Sequence, residues 1–583
     1  MLTETRTPTS PPGAIPSTHH SGHVRDPKFV AAICYALLVI AMWGPFAFSS
    51  GMPYETSFAY WSQTHPVWKG FLYEGDALRI HTSTFYQLSY VLGKALGVTG
   101  SFVPYQFVYA ALWWAKGFLL FLILRRLFPA SAFLAYVVGT LALVHASDWA
   151  LQWVGQLNQL GFAFWLLLCL YFFVVALQQS TTIRTGTYLA FACLFQYMCL
   201  WSYESPLFII LGAPAVIAFM SKQSVSKRLL VSSGIWYVVP LIYVGLSLNK
   251  YLHPHGPWYQ ETVLRRTWSV GSLLNDLGFN MYASIAFWSW PMASSDMSEA
   301  HTYALVILGV FVFLIGTVVS VRWTVRDAEQ GEGDRSIGVA FRLLAGGLIL
   351  LGSSFPVYLM LDSARSRWRT QLLSSIAAAM TLGAASFLIT APISRVWVWV
   401  WPRKLACVGL AALVVFIGAS RAIERGATHR SIWRRHQLAM QEVIRTAPEV
   451  RQDVIFVLQD VPKANDPFRD AMWFDMALRL AYPGMRVAGI YYYDDGSPAP
   501  GDNFKLISDH WHWDGTGFPP LIQETTLAQT IVIQYRADHG PGLLTNLPRF
   551  LCLGPCSPEL YNPKSDIIGH TPSPVALRRY GPV

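Results

Sequence analysis

Long apolar runs recur along this 583-residue chain, each bounded by polar or charged residues. They fall at about 29–49, 103–124, 129–147, 159–178, 186–202, 206–221, 229–248, 303–322, 338–360, 370–391 and 404–420. Most reach or approach the roughly 20 residues that a helix needs to cross a bilayer, so the pattern predicts eleven membrane spans. TFYQLSYVLGKALG, residues 84–97, is apolar but too short to cross and reads as an interfacial helix. Residues 1–27 are rich in Pro, Ser and Thr, lack apolar periodicity and read as a disordered cytoplasmic tail. The run that follows is too long for a signal peptide and lacks a cleavage site, which makes it an uncleaved first span.

Beyond residue 420 the pattern changes. DVIFVLQDV (453–461) and QTIVIQY (529–535) are strand-like, whereas FRDAMWFDMALRLAY (468–482) has helical periodicity. WHWDGTGFPP, with its Asp, Gly and Pro, reads as a loop. The expected fold is therefore mainly α, a polytopic transmembrane helix bundle over 28–420 with a small C-terminal α/β domain over 421–583.

Composition supports the membrane assignment. Hydrophobic residues make up 53% of the chain and charged ones 13%, against about 25% charged in soluble domains. Mean hydropathy is +0.36. A net charge of +10 invites a nucleic-acid partner, but residues 421–583 hold 17 basic and 17 acidic side chains and are neutral. The excess flanks the spans, where basic residues set orientation and contact membrane lipids. Arg25, Lys28, Arg125, Arg126, Arg184, Lys222, Lys227, Arg228, Arg395, Arg403 and Lys404 fall on one side, while loops 148–158 and 203–205 carry no Lys or Arg. The N-terminus is therefore expected in the cytoplasm and, after an odd number of spans, the C-terminal domain outside it. Cys552 and Cys556, in CLGPC, are close enough to pair in an oxidising compartment. A zinc site is disfavoured there because no second Cys or His pair completes it.

The predicted outer face collects the polar residues. The first outer loop, 50–102, holds Glu55, Glu74, Asp76, Arg79 and His81. Later loops add Asp148, Glu204, Arg265 and Arg266, and then Arg365, Arg367 and Arg369 at every second position. That Arg row breaks the positive-inside rule, and an Arg fork suits phosphate; snorkelling to lipid headgroups is the bland alternative. A carboxylate near such a site suits deprotonation of an acceptor hydroxyl, with cations stabilising a departing phosphate. Glu74 and Asp76, two apart, suit a base with its partner or two oxygens for a divalent cation; a solvated acidic loop has the same spacing. Glu55 is a third candidate base. Glu204, in SYESP, stands near hydrocarbon depth, where ionisable groups are costly, although helix capping would also place it there. No separate activating cofactor is required.

This layout resembles the GT-C superfamily of integral-membrane glycosyltransferases, through the acid-bearing first outer loop, the outer SYE turn and the extracytoplasmic α/β domain. The resemblance implies a sugar donor linked to polyprenyl phosphate and a glycan, lipid or protein acceptor outside a bacterial inner membrane. It also implies a catalytic carboxylate in the first outer loop, which is Glu55 in GMPYE or Glu74 and Asp76 in YEGD. GMPYET carries a single Glu where several members have an acidic pair. A polymerase or ligase of lipid-linked glycans would fit similar chemistry. A transporter or flippase would more often show repeated halves and broken helices, and neither is visible.

Overall fold

The structure, a computed structural model, describes residues 27–54, 56–129, 131–145, 153–222, 226–253, 264–265, 267–286, 299–328, 333–362, 372–391, 400–501, 504–514, 520–535, 542–551 and 555–581. All eleven segments expected to span are helical. They are α1 (Pro27–Trp43), α4 (Val103–Leu127), α5 (Ala132–Val144), α6 (Leu157–Gln178), α7 (Thr182–Leu200) and α8 (Leu207–Ser221), then α9 (Lys227–Leu252), α11 (Glu299–Ala328), α12 (Gly333–Ser353), α13 (Ser374–Ile389) and α14 (Val400–Thr446). Between them lie α2 (Ser57–Thr64), α3 (Thr84–Ala95) and α10 (Val270–Ile285). Among the described residues, 7 helices are long and apolar enough to cross a membrane, namely α1, α4, α6, α9, α11, α12 and α14, and α5, α8 and α13 are shorter apolar helices.

Helix α10 falls where a loop was expected. Ser272, Asp276, Asn280 and Ser284 recur every four residues, and Asp276, Asn280 and Ser284 are buried, while Val270, Leu274 and Tyr282 are exposed. This is an amphipathic helix turned polar side inward, a pattern that the surrounding charged residues obscure in sequence.

Basic side chains gather at one end of the bundle. Arg126 donates to Gln178 Oε1 (3.2 Å), Arg228 to the Ala176 carbonyl (3.1 Å) and Arg342 to that of Met220 (2.5 Å). The first loop and the turn between α7 and α8 meet at the opposite end.

Helix α14 has 47 residues, or about 70 Å at 1.5 Å per residue, more than twice the hydrocarbon thickness of about 30 Å. It runs straight through the expected domain boundary at 420. Its first half is apolar, and its second, from Arg421 onward, carries charge at nearly every turn. That half leads into a sheet of order β3-β2-β7-β8. Strands β2 (Val454–Val461), β3 (Val487–Tyr493) and β7 (Thr530–Gln534) run parallel, with β8 (Gly542–Leu543) antiparallel at the edge. Alternation along β2 divides the core. Val454, Phe456 and Leu458 join the large cluster that also contains the membrane helices, α15 (Ala471–Ala481) and α16 (Pro574–Tyr580). Ile455 and Val457 face a separate cluster built on Trp511 and Leu527. β2, α15 and β7 coincide with the strands and helix expected from sequence. WHW does not: it belongs to β5 (His510–Trp513), with Trp511 fully buried, the middle strand of an antiparallel sheet between β4 (Phe504–Ile507) and β6 (Glu524–Thr526). The inward-outward alternation of His-Trp-His-Trp outweighs the turn residues that follow it.

Candidate active site

The loop at 71–85 is folded onto the membrane helices. Tyr73 N donates to the Ile80 carbonyl (2.7 Å) and Arg79 N to that of Asp76 (2.9 Å), which closes the loop. His81 N then donates to the Trp201 carbonyl (3.0 Å), and Thr82 Oγ1 to that of Ser202 (2.8 Å), anchoring it to the α7–α8 turn.

This docking sets the fate of each charge. Arg79 pairs with Glu204 at 2.6 Å and lies 4.9 Å over the Tyr203 ring. Asp76 Oδ1 accepts from Lys250 Nζ at 2.8 Å and from Leu78 N at 2.9 Å. Glu74 stands apart, with its side chain 60% exposed and Lys69 3.9 Å away. The His81 ring meets the edge of Tyr197 at 4.9 Å, and its buried Nε2 has no hydrogen-bond partner among the described residues. Burial pushes its pKa down to about 4, so the imidazole is neutral at pH 7. Asp76, Arg79, His81 and Glu204 thus come together, with Lys250 added and Glu74 left in solvent.

A second constellation forms where the first loop meets the long helix. The Tyr54 ring packs edge-on against Trp153 at 5.4 Å, and Trp153 lies 5.7 Å from the ring of His429. Gly155 permits this approach, since a Cβ there would stand 2.6 Å from the Tyr54 carbonyl oxygen. Gly51 similarly lies against the Trp433 ring. Arg421, Arg425 and His429 succeed one another at four-residue spacing, so α14 turns all three to one side. Arg421 pairs with Glu424 at 3.6 Å. Below them Lys116 is fully buried and donates to Ser375 Oγ (3.2 Å), while His145 Nε2 donates to the Ser284 carbonyl (2.6 Å). From above, Arg469 of the C-terminal domain holds its guanidinium 6.0 Å over the Tyr54 ring. Burial, aided by Asp466, pushes the Tyr54 hydroxyl up to about 12, against the opposing pull of Arg469 and Arg435.

The remaining predicted residues are placed as follows. Arg265 is buried and donates to Ser272 Oγ (2.7 Å) and the Leu361 carbonyl (3.2 Å), and pairs with Asp276. Cys556 is disulfide-bonded. Glu55, Asp148, Arg266, Arg365, Arg367, Arg369 and Cys552 lie outside the described residues. Among the described residues no group of three His, Cys, Asp or Glu side chains could hold a metal ion.

Lys250, Tyr54, Trp153, Arg435, Arg469 and the row on α14 escaped sequence reasoning. The i, i+4, i+8 spacing of Arg421, Arg425 and His429 is visible in the chain. It becomes meaningful only once the last span is known to continue past 420. Nothing local marks Lys250 or Arg469.

In structure the chain is similar to ArnT from Cupriavidus metallidurans bound to undecaprenyl phosphate. The TM-score is 0.35 at 14% identity, over 75% of this chain and 84% of that one. For the apo state of that protein the values are 0.34 and 15%, over 75% and 83%. Similarity to the archaeal oligosaccharyltransferase AglB from Archaeoglobus fulgidus, in complex with an inhibitory peptide and a dolichol-phosphate, gives 0.37 at 13%, over 74% and 62%. No family model matches the sequence, and no curated protein matches it. Likenesses of this size assign the chain to no family, and its function rests on its own residues.

Proposed function

We propose that the protein is a GT-C-type membrane glycosyltransferase that moves a sugar from a polyprenyl-phosphate carrier to an acceptor hydroxyl outside the cytoplasm. The observation that carries this is the meeting of Tyr54, Trp153, His429 and Arg469 at one end of the bundle, with Arg421 and Arg425 on the same side of the long helix as His429. A cationic surface there suits a lipid phosphate presented from the membrane, and the C-terminal domain overhangs the same place.

In this reading Glu55, the residue after Tyr54, is the general base. Its rivals are less suited: Asp76 already accepts from Lys250 and Leu78 N, and Glu74 stands in solvent. The base takes the acceptor proton as the acceptor oxygen attacks the anomeric carbon. The bond from that carbon to the carrier phosphate breaks, and the charge left on the phosphate oxygen is stabilised by the nearby cations. The carrier phosphate is itself the leaving group, so no other activating cofactor enters.

The test is the initial rate of sugar transfer from a polyprenyl-phosphate-linked donor by the purified protein in proteoliposomes. Glu55→Gln is expected to lose about 10²–10⁴-fold in rate, whereas Glu74→Gln stays within about twofold, as expected of a solvated surface carboxylate. Undiminished transfer by Glu55→Gln would remove the carboxylate from its role. Absence of transfer by the wild-type protein from every donor supplied, with measurable donor efflux instead, would favour transport.

A further inference from the structure

Apolar side chains stand exposed where the first loop meets the last helix of the C-terminal domain. Arg578 Nη1 donates to the Gly97 carbonyl (3.5 Å), 481 residues away in the chain, and Arg579 Nε to that of Gly100 (3.1 Å). Val575 lies against Gly100, where a Cβ would stand 3.3 Å from its side chain. These contacts hold α16 at the end of α3. The joint leaves Leu96 64% exposed and Leu577 46% exposed, and Val98, next to Gly97, is exposed as well. The surface continues along α3, which buries Phe85, Tyr86, Ser89 and Gly93. Leu88, eight residues before Leu96, shares its exposed face. The buried neighbour of Leu88, Gln87, donates Nε2 to the Val67 carbonyl (2.8 Å), which brings Trp68, 69% exposed, beside the helix. Contiguous exposed apolar surface of this kind marks an interaction site.

Depth and charge identify the partner. Gly93 of α3 lies against Pro104 in the first turn of α4, where a Cβ would stand 3.1 Å from the proline ring. The 25 residues of α4 rise about 37 Å at 1.5 Å each, against a hydrocarbon thickness of about 30 Å. Its ends therefore reach the headgroups, and Arg125 and Arg126 mark the far one. Phe107, one turn in from Val103, is exposed, and such a side chain on a membrane-crossing helix meets lipid. A patch joined to the first turn of α4 thus lies at headgroup depth, where Trp and amphipathic helices settle. Lys94 and Arg578 are exposed in the same two segments, and neither 77–147 nor 567–583 contains an Asp or Glu. That charge complements anionic lipid. A second copy docked on the same patch would instead bring these cations together, with no acid in either segment to pair with them.

We propose that α3 and α16 together form a bilayer-docking surface, so that the C-terminal domain is seated on the membrane through its last helix as well as through α14. The partner is the surface of a membrane containing anionic phospholipid. Leu88, Leu96 and Leu577 reach its acyl boundary, and Lys94 and Arg578 lie among its headgroups. None of this depends on the transferase reading.

The test uses the full-length protein in nanodiscs of mixed phosphatidylcholine and phosphatidylglycerol. The photocrosslinker p-benzoylphenylalanine replaces Leu96, Leu577, Phe107 or Ile507, one at a time. Phe107 is the lipid-facing reference; Ile507, exposed on β4 beside the cluster built on Trp511, is the reference on the other side of the sheet. After irradiation, mass spectrometry is expected to find lipid adducts at 96, 107 and 577 and none at 507. Phosphatidylglycerol among the adducts at 577 should exceed its share of the bilayer by about fivefold. That excess should disappear when Lys94→Gln and Arg578→Gln are combined. An adduct at 107 with none at 577 overturns the proposal, and so do adducts at 577 that join two copies of the chain. Adducts in bulk lipid proportion, or an excess retained in the double variant, overturn it as well.

Discussion

At the scale of single residues, burial sets the direction of the acid response. His81 has its pKa lowered from 6.5 to about 4 because its ring is buried against Tyr197. Above about pH 6.5 the imidazole is neutral whether or not the loop is docked. As pH falls, the released loop takes up a proton that the docked loop refuses, so docking stability is lost between about 6.5 and about 4. Amide protection factors over residues 71–83, corrected for the intrinsic exchange rate, should fall from pH 7 to pH 5 in the wild type and stay level in His81→Gln. Asp475 has the opposite sign. Burial raises its pKa from 3.8 to about 6, against the Arg479 guanidinium at 2.5 Å and the Gly489 N–H. The folded domain then binds the extra proton, and stability rises as pH falls through about 6 toward 3.8. Asp475→Asn should abolish that rise in Tm. Both residues appear in the sequence as ordinary polar positions, because burial is a property of what packs over them.

Among elements, α4 and α5 depend on a glycine pair. A Cβ on Gly117 would lie 2.9 Å from the Gly139 carbonyl oxygen and 2.6 Å from Leu143 Cγ, and a Cβ on Gly139 would lie 2.9 Å from the Gly117 carbonyl. Small residues let two apolar helices approach backbone to backbone, where dispersion and packing replace the hydrophobic effect. Gly117→Val should force the pair apart and cost about 1–3 kcal/mol, read as a lower Tm in detergent. Helix periodicity was enough to locate both helices. It could not say that α14 would continue for 47 residues, because the charges from Arg421 onward resemble the start of a soluble domain until the whole helix is seen. On one continuous helix Arg421, Arg425 and His429 fall on one side, with the His429 ring 5.7 Å from that of Trp153.

Across the molecule, the C-terminal domain is tied to the first loop by Arg579. Its buried guanidinium donates to the carbonyls of Gly100 (3.1 Å) and Leu480 (2.6 Å) and to Gln63 Oε1 (2.8 Å), and it lies 5.3 Å from the Phe102 ring. Three segments far apart in the chain thus meet on one side chain. Arg579→Met should leave two buried carbonyls unpaired and cost on the order of 2–3 kcal/mol. The expected signature is faster amide exchange across 57–64 and 574–580 together, with the membrane helices unchanged. If only 574–580 responds, the tie does not extend to the first loop.

The sequence by itself determined where the helices lie, which loops share a face and where strands replace helices. Those properties come from local periodicity and from charges placed beside the apolar runs. Tertiary structure decided what each loop charge does. FLYEGDALRIHTSTF presents Glu74 and Asp76 as equivalent candidates, yet Asp76 meets Lys250 across 174 residues while Glu74 remains in solvent. Arg469 likewise acquires meaning only by lying over Tyr54, more than four hundred residues earlier in the chain. A pairing made through space leaves no mark on its neighbours in sequence, because neither partner needs any particular residue beside it.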